Sequence, residues 1–174
     1  MRLPFQTSLS RLSHRLRELA RNRPEEAEEF LDTHQDEWEE IAETDPGSAA
    51  DILEALDEED AADLLQDLDA DDAADVLDQM RAPAAADVIE EMSTAAAAEL
   101  IAEMEPDQAV DLLAALEEDE LRDEVIAALD PDIRLAINRL IVYPPDSAGG
   151  LMTTDYASLQ LGITSGEAIE ALRR

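Results

Sequence analysis

Apolar residues recur between positions 45 and 116 in a twelve-residue pattern that is written six times. Each repeat unit has apolar side chains at its fifth, eighth, ninth and twelfth places, as Ala73, Val76, Leu77 and Met80 show in the third unit. This spacing of i, i+3, i+4 and i+7 lies on one stripe of an α-helix. The units read DPGSAADILEAL, DEEDAADLLQDL, DADDAADVLDQM, RAPAAADVIEEM, STAAAAELIAEM and EPDQAVDLLAAL.

The length of the repeat predicts that the helix breaks once in every unit. At about 100° per residue, twelve residues turn the apolar stripe by roughly 120°, so the stripes of a continuous helix would face three directions. No single core could cover them. The sequence therefore predicts an all-α, superhelical array of short helices, of the armadillo or solenoid kind, with an approximately twelve-residue repeat.

Residues typical of helix starts support this reading. Proline is tolerated in the first turn of a helix but not in its interior. Prolines occupy the first three places of several units, at Pro46, Pro83, Pro106 and Pro131. Candidate N-cap residues stand at unit starts, at Asp45, Asp57, Asp69 and Ser93.

Residues 1–23 are predicted to form a basic amphipathic helix. Four leucines at helical spacing alternate with arginines, namely Leu9, Leu12, Leu16 and Leu19 with Arg11, Arg15 and Arg17. Two interpretations stay open. The helix caps the array and partly neutralises it, or it contacts anionic lipid or the acidic face of a partner.

Two segments flank the regular units. Pro24 opens a helical stretch that is expected to break near Thr33 and His34, and Trp38 in its second half is expected to lie in the core. After the sixth unit comes EEDELRDEVIAAL, followed by DPDIRLAINRLIVY, which is predicted to be a longer and more uniformly apolar helix. Pro144 and Pro145 end that helix.

The pattern changes from residue 151 onward. DYASLQL alternates weakly, as a strand does, and TSGEAIEALRR carries Thr164 and Glu167 at capping-box spacing before an amphipathic helix. One strand and one helix make an incomplete unit. We expect the sequence to stop inside a second domain.

Charge is the most unusual compositional feature. The formal net charge is −33, and every one of the 12 basic residues is arginine. Residues 1–23 carry about +5, which leaves about −38 for the rest. An acidic body of this kind is a poor partner for nucleic acid, which requires a basic face.

Two explanations for this acidity remain open. An acidic surface without lysine suits a protein kept soluble in a very salty cytoplasm, and such a surface needs no binding site. A surface selected to respond to cations would have the same composition. We expect the stability to depend on ionic strength, and a melting temperature that is the same in low and molar salt would count against the first explanation.

The sequence argues against an enzyme and against a membrane span. It has no cysteine, two histidines without recognisable partners, no phosphate-binding loop and no H-E-x-x-H motif. No apolar run approaches the roughly 18 residues that a membrane helix needs. No secretory signal is recognisable at the N-terminus.

The string YPPDSAGGLMTTDY, at residues 143–156, resembles the junction of MgtE-type magnesium transporters. There a helical N-terminal domain meets a pair of CBS modules through a segment like Y-x-x-D-x-A-G-x-L-M-T. The matching residues are Tyr143, Asp146, Ala148, Gly149, Leu151, Met152 and Thr153. The likeness extends from about residue 24 to the end, although acidic helical repeats alone also occur in other armadillo-like arrays.

The resemblance implies a domain organisation. Residues 1–23 would be the basic helix, 24–143 a right-handed superhelical N-domain, 144–150 a linker and 151–174 the truncated beginning of a CBS domain. It also implies that the CBS and transmembrane domains of the same parent protein are partners. A homodimer on the cytoplasmic side of the cell membrane is implied as well, with this chain itself soluble.

The resemblance further implies metal ligands at Asp75, Asp107 and Asp111. In the family, Mg²⁺ binds between the acidic surfaces of the N-domain and the CBS pair and holds the channel closed. The residues suit this chemistry, because Mg²⁺ prefers oxygen ligands and usually keeps several waters. Asp107 and Asp111 are i, i+4 neighbours that could share one hydrated ion.

The acids at the seventh place of each unit are also predicted to form a row that faces away from the buried stripe. Helix axes packed about 8–10 Å apart would hold such acids too far from one another for a tight cage. Weak Mg²⁺ binding that needs the CBS surface is therefore expected. The row comprises Asp51, Asp63, Asp75, Asp87, Glu99 and Asp111.

Two functions follow from these observations. The first is a cytosolic magnesium-sensing regulatory domain of a Mg²⁺ transporter or channel. In it, divalent cations would screen acidic surfaces between the N-domain and the CBS domains and favour the closed state. The alternative is a soluble helical-repeat adaptor that binds a protein partner and has no transport role.

Overall fold

The computed structural model describes residues 6–144, 147, 149 and 162–171, without the side chains of residues 6–8 and 171. All regular structure in these residues is α-helical. The helices are α1 (Gln6–Asn22), α2 (Pro24–Thr33), α3 (Gln35–Thr44), α4 (Pro46–Leu53), α5 (Glu58–Gln66), α6 (Ala70–Gln79), α7 (Ala82–Glu90), α8 (Thr94–Glu103), α9 (Pro106–Ala115), α10 (Asp119–Ala128), α11 (Pro131–Leu140) and α12 (Ser165–Ala171).

Each of the six repeat units forms one short helix, which confirms the predicted break. The six helices, α4 to α9, are 8 to 10 residues long. Asp45 accepts a hydrogen bond from the Ser48 amide at 3.3 Å, and Ser93 accepts one from the Ala96 amide at 3.2 Å. Both therefore satisfy backbone donors that a helix start leaves free.

The other two predicted N-cap residues stand at helix starts but form no capping hydrogen bond. Asp57 and Asp69 stand at the N-cap positions of α5 and α6 with extended backbone, but neither side chain accepts a hydrogen bond there. A cap that the sequence did not predict occurs at α9, where Glu105 and Gln108 form a capping box. Pro106 fills the first helical position between them.

The predicted apolar stripe forms the core, and a further place of the repeat is buried with it. The sixth place is alanine in five units and valine in the sixth, and all six side chains are buried. Small side chains let neighbouring helices approach closely. These residues are Ala50, Ala62, Ala74, Ala86, Ala98 and Val110.

The buried sixth place follows from how the helices stack. Each helix of the regular array packs mainly against the helix after next. One row therefore contains α4, α6, α8 and α10, and the other contains α5, α7, α9 and α11. A helix inside a row has neighbours on two sides and must bury a wider face than a single stripe.

The first three helices close the beginning of the array. The break between α2 and α3 falls at His34, as predicted, and the imidazole stacks on Phe30 with the ring centroids 4.0 Å apart. Trp38 is 1% exposed, which confirms its core position. Its indole N–H donates to the Leu64 carbonyl at 2.9 Å and so ties α3 to α5.

The end of the array differs from the prediction. The helix that was expected to be longer and uniformly apolar is 10 residues long and buries only Ile137 and Leu140. Leu135 is 51% exposed and Val142, just beyond the helix, is 71% exposed. The prediction was wrong because, among the described residues, α11 stands at the end of its row and packs mainly on α9.

Part of the segment that was assigned to a CBS domain is described. The capping box predicted at Thr164 is present, since Thr164 donates to Glu167 and the Glu167 amide donates back to the Thr164 hydroxyl at 3.4 Å. The predicted strand at 155–161 lies outside the described residues. In the junction string, the ring of Tyr143 lies directly on Gly149, where any β-carbon would collide with it.

Candidate cation-responsive acidic surface

The row of acids at the seventh place of the repeat faces solvent over most of its length. Five of its six members are exposed, namely Asp63, Asp75, Asp87, Glu99 and Asp111. Asp51 is the exception. It is partly buried under α1 and pairs with Arg17 at 3.0 Å and Arg21 at 3.8 Å.

The three predicted ligands lie on two helices that belong to different rows. Asp75 is an exposed residue of α6, whereas Asp107 and Asp111 are one turn apart on α9. Helix α6 packs mainly on α3, α4 and α8, whereas α9 packs on α7 and α11. Asp111 borders a hollow of about 170 Å³ that Asp78 and Gln108 also line.

The described residues contain no group of three or more histidine, cysteine, aspartate or glutamate side chains close enough to hold a metal ion. Asp75, Asp107 and Asp111 are thus not gathered into a cage, and their role as ligands remains a prediction. A hydrated Mg²⁺ would reach such separated carboxylates through its waters.

A larger group of carboxylates lies elsewhere, in a hollow of about 440 Å³ near the start of the array. The hollow lies where α3 packs against α6 and the preceding turn. Its lining consists of seven acids, Asp36, Glu39, Glu40, Glu43, Asp67, Asp69 and Asp72. We call this feature the acidic hollow.

The sequence analysis missed the acidic hollow, although a signal for half of it was present. The four acids of α3 stand at i, i+3, i+4 and i+7, which is one stripe opposite the buried Trp38 and Ile41. The three remaining acids come from the second and third repeat units. Their meeting with α3 depends on tertiary packing that no sequence spacing reveals.

Asp72 lies among other acids of the acidic hollow, and its pKa is affected both by burial and by their charges. Partial burial raises the pKa of Asp72 above its ordinary value, and the charges of Glu43 and Asp69 raise it further. The carboxyl group thus gives up its proton less readily than it would in water. A cation in the hollow would relieve the same repulsion.

A second repulsive group joins α2 and α5. Burial raises the pKa of Glu28, with the charge of Asp60 as the next cause. Burial also raises the pKa of Asp60, with Asp57 as the next cause. Negative potential is therefore concentrated along the α2, α3, α5 and α6 side of the molecule.

Other carboxylates accept hydrogen bonds that hold the helices of the array together. The Glu54 carboxylate accepts hydrogen bonds from the backbone amide of Arg81 at 2.6 Å and from its guanidinium at 2.9 Å. Glu90 accepts one from the backbone amide of Glu117 at 2.7 Å. Each bond spans 27 residues and joins the end of one helix to the start of a helix further along the array.

Comparison with known proteins agrees with this architecture. A structure of the soluble part of a magnesium transporter matches with a TM-score of 0.70 and 24% identity, over 95% of this chain and 61% of that chain. The cytosolic domain of the Mg²⁺ channel MgtE, solved in complex with ATP, matches with a TM-score of 0.73 and 26% identity, over 84% and 60%. The chain thus spans about three-fifths of each matched structure. No curated protein matches it.

A family model gives the more direct result. Residues 44–146 match the model of the MgtE intracellular N domain, which covers more than half of the chain. This match confirms the resemblance to the N-terminal domain of MgtE-type transporters and the predicted all-α repeat fold, whereas the beginning of a CBS domain stays a prediction. It also confirms that the chain is not an enzyme. No helix among the described residues is long and apolar enough to cross a membrane. The chain belongs to the MgtE intracellular N domain family.

Proposed function

We propose that this chain is the cytosolic magnesium-sensing regulatory domain of a Mg²⁺ transporter or channel. Divalent cations screen its acidic surfaces against those of the following CBS domains and thereby favour the closed state. The observation that carries the proposal is the concentration of carboxylates that form no ion pair with any described residue, above all the seven acids of the acidic hollow. The likeness to the cytosolic domain of the Mg²⁺ channel MgtE supports the same assignment.

The physical basis is repulsion that a cation can remove. Two carboxylates held close together repel each other and destabilise the packing that brings them together. A divalent cation between them attracts both, so the net electrostatic interaction becomes favourable. Burial raises the pKa values of Asp72, Asp60 and Glu28, and the charges of neighbouring acids raise them further, so this repulsion acts within a single domain. A second acidic surface brought against this one would add to it.

The proposed ligands are Asp75, Asp107 and Asp111. Because they lie on separate rows of the array, they bind Mg²⁺ weakly and mainly through its hydration shell. Binding tightens when the CBS surface supplies the remaining oxygen ligands. A low affinity suits a sensor that responds to abundant ions rather than to traces.

The test uses a protein in which this chain is followed by a complete CBS pair. We expect millimolar Mg²⁺ to protect that protein from limited proteolysis and to raise its melting temperature. Asp107→Asn combined with Asp111→Asn should move the midpoint of this response to higher Mg²⁺ concentration by several fold.

The matched control removes the same charge from α10 through Glu120→Gln and Asp123→Asn, which are both exposed. It should leave the midpoint almost unchanged. A protein with both domains that shows no Mg²⁺ response would refute the proposal and favour the adaptor function. Equal shifts in both double variants would show general charge screening and would refute the assignment of the ligands.

A further inference from the structure

The outer face of α1 combines two arginines with an apolar hollow. The hollow measures about 480 Å³ and lies between α1 and α2. Leu12, Leu19 and Phe30 form its apolar part, and Arg15 stands at its edge. Arg11 lies one turn before Arg15 on the same helix, and both arginines are exposed.

The other flank of α1 is already used by the fold. Leu16 and Ala20 are buried against the array, and α1 packs on both α2 and α4. Arg17 and Arg21 share the single carboxylate of Asp51 on α4. At about 100° per residue, Arg15 points roughly 160° away from Arg17, so the two flanks are distinct. The capping role predicted from the sequence is thus confirmed, and it leaves the Arg11 and Arg15 flank free.

Arg11 and Arg15 are notable because carboxylates are so abundant in this chain. The sequence contains 45 acidic residues, yet neither arginine forms an ion pair with any residue that the structure describes. Exposed arginines beside the partly buried Leu12 and Leu19 form one side of an amphipathic helix, and such helices are found at membrane surfaces.

We propose that this flank of α1 docks on the anionic phospholipid surface of a membrane. The guanidinium groups of Arg11 and Arg15 bind lipid phosphates, and Leu12 and Leu19 enter the boundary between headgroups and acyl chains. Charge complementarity favours this occupant, since Arg11 and Arg15 are the exposed charges of this flank without an ion pair among the described residues, against the single acid Glu18 beside them. The other arginines of α1 and its end pair with Asp51 and Glu26. The proposal rests on the basic helix and holds whether or not the domain senses Mg²⁺.

The contact must be weak on its own. Helix α2 presents the exposed acids Glu25, Glu26 and Glu29 at the same end of the molecule, and these oppose the approach to an anionic surface. Attraction of a few basic residues is short in range, because salt screens it within about 8 Å under physiological conditions. Docking therefore requires that the chain already be held near the membrane, where its effective concentration is high.

The sequence contains no cysteine, so a single introduced cysteine can be labelled at one chosen position. An Asn22→Cys variant carries an environment-sensitive fluorophore on the free flank, and an Ala127→Cys variant carries the same fluorophore on α10. Each protein is held on vesicles by a C-terminal histidine tag and a nickel-chelating lipid. The vesicles contain either phosphatidylcholine alone or phosphatidylcholine with about one-third phosphatidylglycerol.

We expect the fluorophore at position 22 to shift to the blue on the anionic vesicles only, and the fluorophore at 127 to remain unchanged. Arg11→Gln with Arg15→Gln should reduce the docked-to-free ratio about 30-fold, since each arginine near an anionic surface contributes roughly fivefold. The control pair, Arg134→Gln with Arg139→Gln, removes the same charge from α11 and should have no effect. High salt should abolish the shift.

Equal spectra on neutral and anionic vesicles would overturn the proposal, as would a full shift in the Arg11 and Arg15 double variant. A shift caused by soluble polyglutamate but not by vesicles would also overturn it and would assign the flank to an acidic protein face. Circular dichroism of the double variant checks that the fold is intact.

Discussion

At the scale of single residues, Trp38 shows how one side chain joins parts of the array that are distant in sequence. The carbonyl of Leu64 lies near the end of α5, where backbone acceptors lose their helical partners. The amide that would serve it, that of Leu68, donates instead to Leu65 at 3.2 Å. The indole N–H of Trp38 takes its place and satisfies a buried acceptor.

Replacing this tryptophan tests the contribution of that bond. Trp38→Phe keeps an aromatic ring in the core but removes the donor, so we expect the free energy of unfolding to fall by about 1–3 kcal/mol. Urea denaturation followed by circular dichroism measures the change. Phe30→Leu, at a partly buried position without such a bond, is the comparison. A loss below about 0.5 kcal/mol for Trp38→Phe would show that the hydrogen bond adds nothing to stability.

Asp72 gives the molecule an unusual dependence on pH. Its folded-state pKa lies above the ordinary value of 3.8, so near that pH the folded chain binds more protons than the unfolded chain. The stability that this group contributes is fully present below 3.8 and is lost as the pH rises through the folded pKa. Asp60 and Glu28 act in the same direction.

We therefore expect Asp72→Asn to stabilise the chain at pH 7 by up to about 0.5 kcal/mol, because it removes like-charge repulsion. The gain should shrink as the pH approaches 4, and also at high salt. Melting temperatures between pH 4.5 and 7.5 test this. Asp71→Asn removes an exposed acid from the same turn of α6 and controls for charge at the helix start. A loss of stability in Asp72→Asn at pH 7 would contradict the assigned repulsion.

At the scale of elements, the repeat pattern was enough to predict the helices but not their neighbours. The period of twelve and the prolines predicted one short helix per unit, and His34 was correctly identified as a break. The packing of each helix on the helix after next was not predictable, since a repeating pattern has the same form for any stacking order. The acidic hollow was missed for that reason, because it needs α6 to lie beside α3.

The alanines at the sixth place of the repeat lie where the helices of one row pack against each other. They are buried because helices in a row approach each other closely, so a larger side chain has no room. Ala86→Leu on α7, where the exposed fraction is 1%, should reduce the free energy of unfolding by about 1–3 kcal/mol through overpacking. Ala95→Leu on α8 is exposed and should change it by less than about 0.5 kcal/mol. Similar effects of the two substitutions in chemical denaturation would argue against the two-row packing.

At the scale of the whole molecule, the excess of acids makes the folded state sensitive to ions. A net charge of −33 on 174 residues opposes compaction, and the structure provides few cations to offset it. The five ion pairs among the described residues involve Arg17, Arg21, Arg23, Arg81 and Arg122. Most of the repulsion must therefore be screened by dissolved ions.

The two explanations for the acidity predict different responses to these ions. General adaptation to salt requires only screening, so NaCl and MgCl₂ at equal ionic strength should raise the melting temperature equally. Selection for a cation response requires divalent ions to act beyond screening, at sites such as the acidic hollow. We expect MgCl₂ to give the larger increase at equal ionic strength, with the difference reduced in Glu43→Gln combined with Asp72→Asn, because these charges repel each other there. Glu120→Gln with Asp123→Asn should preserve the difference. Coincident curves for the two salts would show that the acidity serves solubility alone and would remove the hollow from any sensing role.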